Sequence, residues 1–259
     1  MTDRFAPGTF RPAPGRGRPL GMLAAQAGTE LRLALRNGEQ LLLTVLIPVA
    51  LLVGLTVLTF VPLPEPRVAA VAPGVLALAV MSTAFTGQAI ALGFDRRYGV
   101  IRRLAATSLP RWLLVAGRLV AVLGVVAIQV LGLSAIAVAL GWRPALAGVG
   151  WAVLLVLLGC GAFGALGLLV GGTLRAETTL AVANVVWFVL LLAGGIVVPL
   201  AQLPAPLAAV AAMLPSGALA EGLRITLSAG QPPTVGQVLV LVVWGAVAGV
   251  AAARLVRWR

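Results

Sequence analysis

Apolar residues fall into six long blocks along this 259-residue chain, roughly 41–60, 68–94, 113–140, 148–173, 178–200 and 235–253. About 20 mostly apolar residues are enough for a helix to cross the hydrocarbon core of a membrane. Helix is required because lipid offers no partner to open backbone groups. The pattern therefore predicts an all-α integral membrane protein with six transmembrane helices. The second and third blocks exceed the minimum length, so tilted or bent helices are expected there, with Pro73 a candidate bend in the second.

The segments between and before the blocks are patterned too. Met22–Gln40 places Leu23, Ala27, Leu31, Ala34 and Leu35 at helical spacing, with Arg32 and Arg36 on another face. This reads as an amphipathic helix, 22–40, lying on the inner membrane surface and interrupted at Asn37-Gly38. A cytoplasmic extension of the first span is the other reading. Residues 1–21 are rich in Pro, Gly and Arg and lack an apolar core. They are expected to be a disordered basic tail rather than a signal peptide. The stretch 201–234 is too long for a simple connection. Pro204, Pro206 and Pro215 divide it into apolar pieces suited to short helices dipping into the outer leaflet, an external cap with no transport role being the other reading. Gly167 and Gly171, like Gly161 and Ala165, lie four residues apart, which lets helix backbones approach closely. Gly194-Gly195, before Pro199, is expected to loosen the fifth block near its outer end.

Composition agrees with a lipid-facing protein. The chain is 61% hydrophobic and 10% charged, against about 25% charged residues in an ordinary soluble domain. Its mean hydropathy is +1.08. The net charge of +12 is carried by 19 arginines, with no lysine. They gather at block ends and form no single stripe, which argues against a nucleic-acid partner. With the N-terminus inside, sixteen arginines fall on inner segments and only Arg67, Arg143 and Arg224 on outer ones. That split follows the positive-inside rule. The expectation is a multi-pass protein of the cell's inner (plasma) membrane with both termini cytoplasmic.

The side-chain inventory narrows the class. The chain has no histidine and one cysteine, Cys160, inside an apolar block. This excludes imidazole catalysis, His-ligated metal sites and an intramolecular disulfide. None of the seven carboxylates lies deep in a block, so an intramembrane enzyme is not expected. A phosphate-binding loop of the form GxxxxGK[ST] is impossible without lysine. Ion-driven transporters usually keep ionisable groups at mid-membrane, whereas the mid-block polar residues here are neutral: Thr83, Thr86, Gln88, Gln129, Ser134 and Asn184. Such groups serve interhelical hydrogen bonds. Thr83, Gln88, Gln129 and Asn184 are also candidates for a substrate path. Uphill transport would have to be powered by another chain.

The basic loop 95–112 remains. Gly93–Trp112 holds Arg96, Arg97, Arg102, Arg103 and Arg111. Asp95 and Arg96 end the second block, Gly99 allows a bend, and Tyr98, Ile101 and Leu104 give an apolar edge. Pro110 fits the first position of the next helix, after a turn at Ser108 or Leu109. The result is a short projecting helix, charged on one side and apolar on the other, of a shape that docks into a groove on a soluble partner. Topogenic charge with anionic-lipid contact is the alternative.

Three stretches now combine: the helix Met22–Gln40 leading into LLLTVLIPVALLVGL, the segment FDRRYGVIRRLAATSLPRWLLVAGRLV from Phe94 to Val120, and LPAPLAAVAAMLPSGALAEGLR from Leu203 to Arg224. Together they resemble the membrane subunits of ABC-2 type exporters, the group that includes daunorubicin-resistance permeases, over about residues 22–253. Departures are Asp95 where Glu is more frequent, Leu109-Pro110 in place of a shorter turn, and Ser216-Gly217 where bulkier residues are common. The resemblance implies an ABC-2 type transmembrane domain over 41–259. It implies two permease chains, identical or related, joined to two cytoplasmic ABC ATPase subunits that bind the ATP and Mg²⁺, with no cofactor on this chain. It implies a coupling helix in which Asp95, Arg96, Arg97, Arg102, Arg103 and Leu104 meet the ATPase and Gly99 permits the turn. The interfacial helix, with Leu23, Leu31, Arg32 and Arg36, would pack beside it. The implied activity is export of a drug-like, lipid or other amphiphilic substrate. A membrane anchoring or assembly protein with a non-ATPase partner is the reading that the residues alone leave open.

Overall fold

A computed structural model describes residues 18–36, 38–58, 63–106 and 110–256 of the chain. Most of the predicted basic tail and the turn at Ser108 and Leu109 lie outside the described residues, as does Asn37. Within them the elements are helical. Helix α1 (Pro19–Arg36) starts with Pro19, whose fixed φ and missing N–H suit a first helical position. It begins three residues earlier than the sequence pattern suggested. α1 packs along the first turns of α6 (Arg111–Ala139), with Gln26 against Gly117 and Leu31 against Gly124. The two helices therefore run in the same direction. Ala27 is buried in this contact, and Arg32 and Arg36 are exposed as the amphipathic pattern requires. Leu35 departs from it and faces outward.

Helix α2 (Gly38–Val57) is followed by a long central span. That span consists of α3 (Arg67–Met81), one π-helical turn (Ser82–Gly87) and α4 (Gln88–Arg97). Pro73 lies inside α3 without ending it; the irregularity is the π turn further along, which the sequence did not announce. This span is the axis of the bundle. Its window of apolar residues is 83% buried, and α2, α6, α7, α8 and α10 all pack on it. α7 (Val149–Thr173) comes closest. A Cβ on Gly167 would lie 2.8 Å from the Phe85 carbonyl oxygen, and one on Gly171 only 2.4 Å from that of Ala89. The glycine spacing thus brings two backbones into contact. Gly161, of the other predicted pair, meets nothing within 4 Å.

α8 (Ala176–Ala193) ends seven residues before the predicted limit of 200. The reason is the Gly194-Gly195 pair: Gly195 takes φ +63 and the chain leaves the helix. The long connection that follows forms α9 (Ala205–Met213) and α10 (Pro215–Ala229), bent by 97° against each other. α10 turns back into the bundle and is buried against α3 and α7. α11 (Val235–Leu255) completes the chain, opened by a capping box in which Thr234 and Gln237 satisfy each other's backbone N–H groups.

Among the described residues, five helices are long and apolar enough to cross a membrane, and the bent α9–α10 pair would make a sixth. α2 contributes a shorter apolar helix, Thr44–Val57. Leu131, Val153, Val185 and Val243 are exposed on four of the spans, as expected where lipid is the solvent. The bundle has two distinct ends. One gathers Arg96 to Arg103, the α7–α8 turn and Arg254. The other carries α9, the α8 break and the start of α3.

Candidate functional site

At the arginine-rich end, α4 stops at Arg97 and the chain reverses through Gly99, at φ +69, into the six-residue helix α5 (Val100–Ala105). A residue with a Cβ is strained in that left-handed conformation, and glycine is not. The predicted projecting helix is present. Ile101 and Leu104 turn inward and help close a small gap with Leu92, Leu114 and Leu168. Arg102 and Arg103 are exposed. A groove of about 440 Å³ runs beside α5 toward the α7–α8 turn, edged by Arg96, Arg97, Arg102, Arg175 and Glu177.

The residues of the loop divide by what they touch. Arg96 points inward and donates to the carbonyl oxygens of Gly171 at 3.0 Å and Leu174 at 3.1 Å. These are carbonyls at the end of α7, which have no partner within their own helix. Asp95 also points inward and forms an ion pair with Arg118 of α6, whose Nε lies 3.9 Å from Glu30 of α1. Arg97 pairs with Glu177 in the first turn of α8, where a carboxylate is favoured by the helix dipole. Asp95 and Arg96 are thus engaged within the chain. Arg97, Arg102 and Arg103 form the outward face.

The polar residues singled out inside the spans separate in the same way. Thr83, Gln88 and Gln129 are all buried. The Thr83 hydroxyl donates to Gln129 Oε1 at 2.7 Å, and Gln129 Nε2 donates to the Thr44 carbonyl at 3.3 Å. Thr83 and Gln88 line a cavity of about 440 Å³ between α1, α2, α4 and α6. Asn184 is not part of this group. It lies on the exposed face of α8 and donates to the Leu180 carbonyl at 2.9 Å.

The other end holds a clamp within the outer stretch 201–234, which the sequence pattern read as short helices dipping into the outer leaflet. Arg224 of α10 is only 7% exposed. It donates to the carbonyl oxygens of Gly195 and Ile196, both at 2.8 Å, and pairs with Glu221 at 3.1 Å. The carbonyls freed where α8 breaks are therefore taken up by α10. Arg67 does the same for α2, donating to the carbonyls of Leu55 and Leu58.

The ABC-2 type transporter family model matches residues 25–228, from α1 through the projecting helix to α10. The chain belongs to the ABC-2 type transporter family. This ABC-2 chain is a transporter's multi-pass membrane domain, a permease rather than a catalyst. Comparison with curated proteins gives no match. No group of three or more metal-ligating side chains occurs among the described residues. Sequence reasoning missed Glu30, Arg118, Glu221 and Arg224 as working residues of this ABC-2 chain. Arg118 carried a faint signal, since a charge little more than one helical turn inside an apolar block is costly unless paired.

Proposed function

We propose that this chain is the permease of an ATP-binding-cassette exporter, driven by two separate ATPase subunits that seat on the arginine-rich end. The observation that carries the reading is the arrangement of α5. Its outward arginines, Arg102 and Arg103, are exposed, Arg103 donating to the Tyr98 carbonyl oxygen of the same loop at 3.3 Å, and both would meet an acidic groove, while its inward residues brace it against three other helices. A push on α5 would be passed to α6 through Asp95 and Arg118, to α7 through Arg96, and to α8 through Arg97 and Glu177. Only contacts that differ between the two states of the ATPase pair can drive such a change. The positive-inside count supports placing this end in the cytoplasm of the inner membrane, with both termini on that side. A second permease chain, identical or related, would complete the pathway. The neutral interior suits an amphiphile better than an ion.

The test is charge reversal. Arg102→Glu together with Arg103→Glu is expected to abolish co-purification of the ATPase and ATP-dependent efflux, while membrane insertion and folding persist. Retention of both would overturn the coupling role of α5.

A further inference from the structure

The cavity between α1, α2, α4 and α6 has an unusual lining. It extends from Thr83 to Tyr98, a length of about 22 Å at 1.5 Å per helical residue. Its volume of about 440 Å³ lies in the range of small-molecule sites. Ile90, Ala91, Val122 and Val125 make its walls apolar. Thr83, on its lining, is satisfied within the protein, as described above. Gln88 is not. Its side chain is 6% exposed, lines the cavity, and has no hydrogen-bond partner among the described residues. Its amide is not sealed off: it opens onto the cavity, where a polar group on whatever fills the space can pair with it.

At the mouth the charged lining residues are Glu30, Asp95 and Arg118, two carboxylates to one guanidinium. The guanidinium is the most withdrawn, with 13% of its side chain exposed against 23% for Glu30 and 29% for Asp95. Among the lining residues the charge is net negative; Arg97, beside the Tyr98 ring and outside the lining, is offset by its ion pair with Glu177. Phe94 and Tyr98, with ring centroids 6.1 Å apart, stand at the same mouth. Aromatic faces attract cations, and Arg97 already lies 6.0 Å from the Tyr98 ring. Gln88 and Asp95 are seven residues apart on α4, which separates them by about 10 Å along the axis.

We propose that this cavity binds a cationic amphiphile whose positive head rests between Glu30, Asp95 and the two rings, and which carries a hydrogen-bonding group about 10 Å further along an apolar body, at Gln88. This deepens the permease reading and rests on it for the role of the site as an entry point. The bound cation competes with Arg118 for Glu30 and Asp95, so occupancy loosens the tie between α1, α4 and α6.

The experiment uses the full chain in phosphatidylcholine nanodiscs without any ATPase, so its failure is distinct from a failure of ATP-driven transport. Radiolabelled dodecyltrimethylammonium, 8-hydroxydodecyltrimethylammonium and dodecyl sulfate are titrated, with empty discs as background. The expected result is saturable binding of both cations, no saturable binding of the sulfate, and a severalfold advantage for the hydroxylated cation. Glu30→Gln is expected to weaken both cations about tenfold. Gln88→Leu is expected to erase the hydroxyl advantage, a comparison of two probes on one protein that does not depend on the variant's stability. Saturable binding of the sulfate equal to that of the cations, absence of saturable cation binding, or a hydroxyl advantage that survives Gln88→Leu would each overturn the proposal.

Discussion

Arg118 and Asp95, 23 residues apart in the chain, form an ion pair that fastens α6 to the last turn of α4. With Glu30 3.9 Å from the same guanidinium, three elements meet at one cation: the amphipathic helix, the helix leading into α5, and the following span. A displacement of α4 would strain its tie to α6 and, through Arg118, the contact with α1.

Removing the cation should cost more than removing one anion. Arg118→Ala leaves Glu30 and Asp95 facing each other in a half-buried site, whereas Asp95→Ala leaves Arg118 with Glu30. The expected losses are about 2–4 kcal/mol and about 1–2 kcal/mol, reduced from fully buried values because all three side chains retain some exposure. Unfolding titrations in mixed micelles read both. Equal losses would contradict the shared-cation arrangement.

The contact between α7 and α4 permits no side chain at Gly171. Gly171→Ala would place a Cβ 2.4 Å from the Ala89 carbonyl oxygen, and is expected to destabilise the fold by about 1–3 kcal/mol. Gly161→Ala, with nothing within 4 Å, should stay within about 0.5 kcal/mol of the parent chain. Thermal unfolding of the two variants side by side makes the comparison.

Arg224 holds the broken end of α8 to α10. Arg224→Ala leaves the Gly195 and Ile196 carbonyls and Glu221 without their partner, at an expected cost of about 2–3 kcal/mol for hydrogen bonds to a charged group. Limited proteolysis should then show cleavage between Gly194 and Leu203 that the parent chain resists. Unchanged resistance would show that the carbonyls find other partners.

Thr83 and Gln129 should be coupled. A double-mutant cycle with Thr83→Val and Gln129→Leu is expected to give an interaction of about 0.6 kcal/mol, the average for hydrogen bonds between membrane helices, with about 1.7 as the upper end. Additive effects would mean that the 2.7 Å bond contributes nothing beyond its parts.

Much of the scaffold was legible because lipid demands long apolar helices and proline and glycine mark their ends. Gly99 could be assigned a bend from its conformational freedom, and Gly167 and Gly171 a packing role from their spacing, although the same spacing at Gly161 marked no close contact. What stayed hidden depends on contacts between distant residues. The π turn at Ser82–Gly87 has no local signature. The burial of Arg224 follows from α10 folding back into the bundle, not from its neighbours in sequence. Arginines that read as topogenic charge also act as caps: Arg67, Arg96 and Arg224 each satisfy carbonyls at a helix end supplied by another element. Asp95 looked outward-facing because its partner, Arg118, lies on the next span.

The most direct test of the account places a cysteine on α5. Cys160 is buried, so Arg102→Cys provides an addressable thiol, and Gln231→Cys marks the opposite end. A membrane-impermeant thiol cross-linker applied from the cytoplasmic side should join position 102 to an ATP-hydrolysing subunit, with a yield that changes when ATP is bound, and should leave position 231 untouched. Labelling of position 102 from the exterior, or ATP-driven efflux continuing with no ATPase captured there, would contradict the account.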